Sequence, residues 1–135
     1  MILNEFPHYM TNWRQIASCL FGRSIYLRQM YNVHMIHQAR LYIIGSVQGV
    51  GFRAFARTTA LNHQITGWVR NTQDKEDVFG ARGGVEAVVQ GEEDDLLAYI
   101  EEVKKGSPIG RVERVIVLPE VPKQKYDDFS IYPTV

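Results

Sequence analysis

From Ala39 onward, apolar and polar positions follow a regular succession of short periods. Leu41-Tyr42-Ile43-Ile44 is rich in strand formers and stops at Gly45, which predicts a first strand. Ser46-Val47-Gln48-Gly49-Val50-Gly51 carries too much glycine for the interior of an element and reads as a loop. Phe52, Phe55, Ala56, Thr59 and Ala60 then recur at helical spacing, predicting a helix over 52–62. Ile65 to Arg70 reads as a second strand, with Trp68 expected in the core. Asp74 to Gly84 is charged and glycine-bearing, so a loop or hairpin tip is expected there. Val85, Ala87 and Val89 alternate with Glu86, Val88 and Gln90, the period of a third strand. A second helix begins near Glu92, buries Leu96, Leu97, Ile100 and Val103, and stops at Gly106. Its acidic start (Glu92, Glu93, Asp94, Asp95) and basic end (Lys104, Lys105) complement the helix dipole. Val115 to Leu118 forms a fourth strand, and after Pro119 and Pro122 the residues Phe129-Ser130-Ile131 form a short last one.

The order is β-α-β-β-α-β with one terminal strand. It predicts an α+β, ferredoxin-like split β-α-β sandwich, in which two helices cover one face of an antiparallel sheet. A chain of 135 residues has room for one such core and not for two. Residues 1–38 do not share the pattern. Trp13, Ile16, Ala17, Leu20, Ser24, Leu27 and Tyr31 lie on one helical face, and Arg14, Arg23 and Arg28 outnumber a single acid, Glu5. Three readings suit this extension: an organelle transit segment, a loosely packed extra helix, or an over-long gene start with Met35 as the initiator. The expected division is therefore an extension at 1–38 and a folded domain at 39–135.

Composition narrows the function classes. Fifteen basic residues balance fifteen acidic ones, so no global charge draws the chain to nucleic acid or to a membrane surface. No apolar run reaches the roughly 18 residues that a membrane-crossing helix needs. A monomer is expected, without nucleic-acid or membrane partners. Cys19 is the one cysteine, which leaves no intrachain disulfide or multi-thiolate metal site and suits a cytoplasmic setting. His34 and His37 lack an evident third ligand, so no metal and no cofactor are expected. His63 is expected to be a surface or capping residue.

The chemistry concentrates at the first loop. Ser46, Val47, Gln48, Gly49, Val50, Gly51 and Phe52 join a strand to a helix N-terminus, where unpaired N–H groups and the helix dipole welcome an anion. Glycines permit the tight turn and close backbone approach. A plain strand-to-helix turn fits the same glycines. Arg53 is the residue that points further, because a cation at a helix N-terminus is disfavoured by about 0.3–1 kcal/mol and a bound anion would remove that cost. Asn71, at the end of the second strand, reads either as a turn residue or as a carboxamide that orients water. Arg57, one helical turn beyond Arg53, is expected on a solvated face.

Gly45-Ser-Val-Gln-Gly-Val-Gly-Phe-Arg53, then Gly67-Trp-Val-Arg-Asn71, then Val85-Glu-Ala-Val-Val-Gln-Gly91 resembles the acylphosphatase family. Gly106-Ser-Pro108 and Tyr126 to Phe129 are similar to its C-terminal portion. The resemblance implies a ferredoxin-like fold and hydrolysis of a carboxyl–phosphate bond. By that resemblance Arg53 binds phosphate, Asn71 places the attacking water, a small acyl phosphate is the substrate, and inorganic phosphate is a product. Residues Lys75 to Arg82 depart from the family pattern as an insertion that either lengthens a tip or covers the site. That departure keeps a non-catalytic anion-binding module open as the alternative. The acylphosphatase-like domain of hydrogenase-maturation carbamoyltransferases is also similar and would imply carbamoyl phosphate. The zinc-finger and transferase regions of those proteins have no counterpart in these 135 residues.

Overall fold

The computed structural model describes residues 36–135. The Trp13–Tyr31 stripe, Cys19, His34 and the three readings of the extension lie outside the described residues. β1 (His37–Ser46) leads to α1 (Phe52–Asn62), β2 (Thr66–Thr72), a short α2 (Glu76–Phe79), β3 (Gly84–Gly91), α3 (Glu93–Lys105), β4 (Arg111–Glu120) and β5 (Phe129–Ile131). β1 starts four residues ahead of the apolar run at Leu41. Its first residues already pair, His37 with Gly91 and Gln38 with Gln90, so the sheet crosses the expected 38/39 boundary.

The sheet order is β4-β1-β3-β2-β5. The four long strands pair antiparallel, as the sequence pattern predicts. β5 differs: it joins β2 in parallel, Gly67 opposite Phe129 and Val69 opposite Ile131. α1 and α3 share one face. There Phe52, Ala56 and Ala60 of α1 meet Leu96, Tyr99, Ile100 and Val103 of α3 over Leu41, Ile43, Val69, Val85, Ala87, Val89 and Val117. Each such large apolar side chain contributes about 1.5–3 kcal/mol on burial. Leu97, expected in the stripe, is only half-buried, while Tyr99 is wholly inside.

Side chains alternate across a strand, so Val69 facing the helices sends Trp68 to the other side. Trp68 is buried, but outside the helix-side core to which its apolar bulk assigns it. Its indole stacks on Tyr132 with ring centroids 5.1 Å apart. Arg70 and Arg40 lie over the ring at 4.9 and 5.7 Å. Both arginines reach the buried carboxylate of Glu86, Arg70 at 2.8 Å and Arg40 at 2.5 Å. Burial alone would lower the Arg40 pKa, and hydrogen bonds to Glu120 and Glu86 more than offset it, so the guanidinium sits above its ordinary value.

The same face explains the insertion. Residues 74–84 are not a bare tip. Glu76–Phe79 make one helical turn with Glu76 and Asp77 at its start and Gly80 at its end. Phe79 meets Tyr42 edge to face, with centroids 5.6 Å apart and an interplanar angle of 85°. Gly84 makes this seat possible, because a Cβ there would run into the Phe79 ring. Tyr42, Phe79, Ile116 and Leu118 form a second, smaller apolar cluster.

Candidate active site

The chain leaves β1 at Ser46 and turns into α1 through two glycines with positive φ, Gly49 at 76° and Gly51 at 74°. Residues with a Cβ pay a steric penalty in that region, which is why the loop carries glycine at both points. Gly51 is the N-cap of α1, and no side chain caps it. The first hydrogen bond of the helix runs from Phe55 N–H to the Gly51 carbonyl at 3.1 Å. The N–H groups of Phe52, Arg53 and Ala54 precede it and point out of the helix end, the orphan donors that every helix leaves. The first turn of α1 holds no acidic residue. α3 shows the opposite arrangement, with Glu93, Asp94 and Asp95 at its start and Lys104 and Lys105 at its end. One helix follows the dipole rule and the other places a cation, Arg53, against it.

Asn71 approaches from β2. It faces the helix side of the sheet, two residues beyond Val69, and its backbone pairs with Val85 of β3. On its other edge the Val135 N–H donates to the Asn71 carbonyl at 3.1 Å. The strand is thus held on both sides of Asn71. Its side-chain Oδ1 is buried and has no hydrogen-bond partner among the described residues. Leaving a buried acceptor unmet costs about 1–3 kcal/mol, so the oxygen calls for a donor.

Arg53 and Asn71 line one pocket of about 230 Å³ together with Val47, Gly49, Gly51, Phe52, Ala54 and Ile131. Among the described residues, the Arg53 guanidinium makes no hydrogen bond or ion pair. Other arginines are occupied: Arg40 and Arg70 by Glu86, and Arg82 by Glu113 at 2.5 Å. Arg57 is exposed, as expected, and its Nε also donates to the Phe129 carbonyl at 3.1 Å, tying α1 to β5.

Val47, Gly49, Gly51, Phe52, Arg53 and Asn71 therefore converge. Ser46, Gln48 and Val50 do not line the pocket. Ser46 is the last paired residue of β1, opposite Arg111. Val50 packs against the core. Gln48 turns its side chain to the β2–β3 hairpin, donating to the Gly84 and Thr72 carbonyls at 2.8 and 3.4 Å. Ala54 and Ile131 join the pocket without having been expected there. Ala54 follows Arg53 in the first helical turn, a signal available from the helix start. Ile131 arrives only through the parallel pairing of β5, which no local pattern announces.

None of residues 75–82 lines the pocket. His63 ends α1 as its C-cap, its N–H donating to the Thr59 and Ala60 carbonyls. Asp94 is exposed on the first turn of α3, and His37 is buried in β1. Among the described residues, no group of three His, Cys, Asp or Glu side chains is placed to hold a metal. No helix among them is long and apolar enough to cross a membrane.

The pocket thus brings together a glycine-turned helix N-terminus, the Arg53 side chain and a buried carboxamide oxygen without a partner among the described residues. Comparison with known proteins is specific. The acylphosphatase family model matches residues 39–131. The chain is 43% identical over 98 residues to an acylphosphatase of Pyrobaculum islandicum, a match covering 73% of this chain and 96% of that one. The crystal structure of acylphosphatase from Bacillus subtilis superposes with a TM-score of 0.62 at 36% identity, covering 73% of this chain and 99% of that one. Full-length HypF, solved in a phosphate- and nucleotide-bound form, matches over 76% of this chain and 12% of its own, with 31% identity and a TM-score of 0.64. The chain belongs to the acylphosphatase family.

Proposed function

We propose that this chain hydrolyses acyl phosphates to a carboxylate and inorganic phosphate, with Arg53 and the N–H groups of the loop holding the phosphoryl oxygens and Asn71 holding the water. The single observation that carries this reading is the pocket shared by a guanidinium and a buried carboxamide oxygen, neither of which has a partner among the described residues. Family membership supplies the reaction class.

Charge in phosphoryl transfer spreads over the equatorial oxygens, so positioning and electrostatics do most of the work. The planar fork of Arg53 suits two such oxygens at once. The water donates one hydrogen to Asn71 Oδ1, which directs an oxygen lone pair at phosphorus. The new O–P bond forms as the bond from phosphorus to the acyl oxygen breaks, and its electron pair leaves on the carboxylate. That leaving group is a weak base and needs no protein acid. The proton lost by the water passes to a phosphoryl oxygen of the substrate, and the products are a carboxylate and dihydrogen phosphate. Among the described residues, no His, Asp or Glu lines the pocket to act as a base, which suits this route.

The alternative of a non-catalytic anion module rested on the insertion, and residues 75–82 lie off the pocket lining. The deciding experiment follows the loss of benzoyl phosphate in the presence and absence of a chelator. Hydrolysis at equal rates in both is expected. A folded protein that binds inorganic phosphate but leaves benzoyl phosphate intact would return the module reading.

A further inference from the structure

The strand end that bears Asn71 belongs to a hairpin with an unusually long connection. The ladder between β2 and β3 closes with Asn71 opposite Val85 and Thr72 opposite Gly84. Residues 73–83 then join the two strands, a span well beyond the roughly two to five residues of a tight hairpin turn. A tight turn holds the last rung through its covalent geometry. A long connection does not, and terminal rungs open locally unless something pins them.

Phe79 supplies that pin. Within residues 74–82 it alone is buried, at 5% exposed. Its ring lies against the backbone of Gly84, where a Cβ would overlap it. On its other side it joins Tyr42 of β1 and Ile116 and Leu118 of β4 in the smaller apolar cluster. Phe79 therefore anchors the last rung of the hairpin to β1 and β4. The exposed pair of Arg82 with Glu113 reaches the same edge, and a pair of that kind adds little.

The pinned rung is also the one that holds Gln48. The carbonyls of Gly84 and Thr72 both accept from Gln48 Nε2, and Gln48 lies in the loop that leads into Arg53. Direct contacts thus run from Phe79 through Gly84 and Gln48 to that loop. Through Thr72 they run to Asn71. Any seat on Tyr42, Ile116 and Leu118 would cover this part of the sheet. This seat falls on the glycine whose carbonyl holds Gln48.

We propose that Phe79, in the segment that departs from the family pattern, is a positioning residue for hydrolysis. It lies off the pocket lining and acts through Gly84 and Gln48 on the loop that leads into Arg53. The inference rests on the roles given to Arg53 and Asn71.

The test is a double-mutant cycle on benzoyl phosphate hydrolysis, with Phe79→Ala and Gln48→Leu made singly and together. Phe79→Ala should lower kcat by about tenfold, no more than Gln48→Leu does, and weaken inhibition by inorganic phosphate in parallel. With Gln48→Leu already present, Phe79→Ala should change kcat by less than about twofold, because the link it acts through is gone. Its effect on stability, read by urea denaturation, should be the same in both backgrounds. Phe79→Leu keeps an apolar seat and should recover most of the rate. Phe79→Val opens less of the cluster and takes the place of the alanine variant should that one not fold. Wild-type kcat in a folded but destabilised Phe79→Ala would make the ring a cover for the sheet face and overturn the proposal. Equal losses of kcat in both backgrounds would overturn it too, since Gln48 would not be the link. Either result leaves the reaction standing when wild type turns over benzoyl phosphate. No turnover by the folded wild type would overturn the roles on which the proposal rests, and the proposal with them.

Discussion

The Gln48 side chain donates from Nε2 to the Gly84 carbonyl at 2.8 Å, tying the glycine-bearing β1–α1 loop to the start of β3. The same group reaches the Thr72 carbonyl at 3.4 Å, and Gln48 Oε1 accepts from Gln73. Thr72 and Gln73 directly follow Asn71. One side chain therefore ties the loop that leads into Arg53 to the strand end that bears Asn71. Gln48→Leu keeps the bulk and removes these bonds. The sheet does not depend on them, so the fold should persist. Hydrolysis should slow by between about tenfold and a hundredfold, because small misplacements of reacting groups are costly. Inhibition by inorganic phosphate should weaken in parallel. Unaltered values of both would show that the loop holds its place without Gln48.

Arg53→Lys preserves the charge and removes the fork. A lysine ammonium is a point charge and cannot hold two phosphoryl oxygens in one plane. Phosphate inhibition should weaken and kcat should fall by about a hundredfold or more, as when a transition-state donor is lost. Steady-state kinetics with a phosphate titration measure both. Wild-type values of either quantity would mean that charge alone suffices for that step.

Tyr99 gives the alkaline limb of stability. Its side chain is fully buried and its hydroxyl donates to the Ala56 carbonyl at 3.1 Å. Burial pushes the phenol well above its ordinary value. The folded state then keeps a proton that the unfolded state releases. This contribution is complete below about pH 10, the ordinary tyrosine value, and is lost as pH rises toward the folded one. Tyr42 is shifted the same way, by burial and then by the Glu86 charge, so it adds to the same limb. Tyr99→Phe should cost about 1 kcal/mol near pH 7 through the lost hydrogen bond. Its unfolding free energy should also fall less steeply than wild type above pH 10. Urea denaturation at a series of pH values reads this, and equal slopes in the two proteins would remove Tyr99 as the source.

Particular residues show what the sequence made legible. The two glycines and the spacing of Phe52, Ala56 and Ala60 fix the loop and α1, because backbone sterics and helical period are local properties. Arg53 stands out on the same local ground. α2 was not legible: a single turn has no period to detect, and its anchor is Phe79 against Tyr42, distant in sequence. Trp68 shows another limit. All eight residues of β3 are buried, so both sheet faces are covered, and apolar character alone cannot say which face an indole joins. Ile131 was missed for a topological reason. Its role depends on β5 lying parallel to β2, and Phe129-Ser130-Ile131 carries no mark of its partner.

Asn71→Ala separates binding from chemistry. The loop, the helix end and Arg53 do not hydrogen-bond to the Asn71 side chain, so the phosphate cradle should survive its removal. The backbone bonds that hold this part of β2 also survive, since the pairing with Val85 and the Val135 N–H bond to the Asn71 carbonyl are main-chain contacts. The substitution removes a buried acceptor that lacks a partner among the described residues, so folding should lose little and can gain slightly. Inorganic phosphate, followed by calorimetry, should bind within about threefold of wild type, as expected for a side chain that contributes no uniform binding. Hydrolysis should nevertheless fall by on the order of a hundredfold or more, because an unplaced water forfeits near-attack geometry. The loss should lie in kcat rather than KM, the signature of an interaction realised in the transition state. If phosphate binding collapsed together with turnover in a folded protein, Asn71 would belong to the cradle. If turnover persisted, the water would be held by another group.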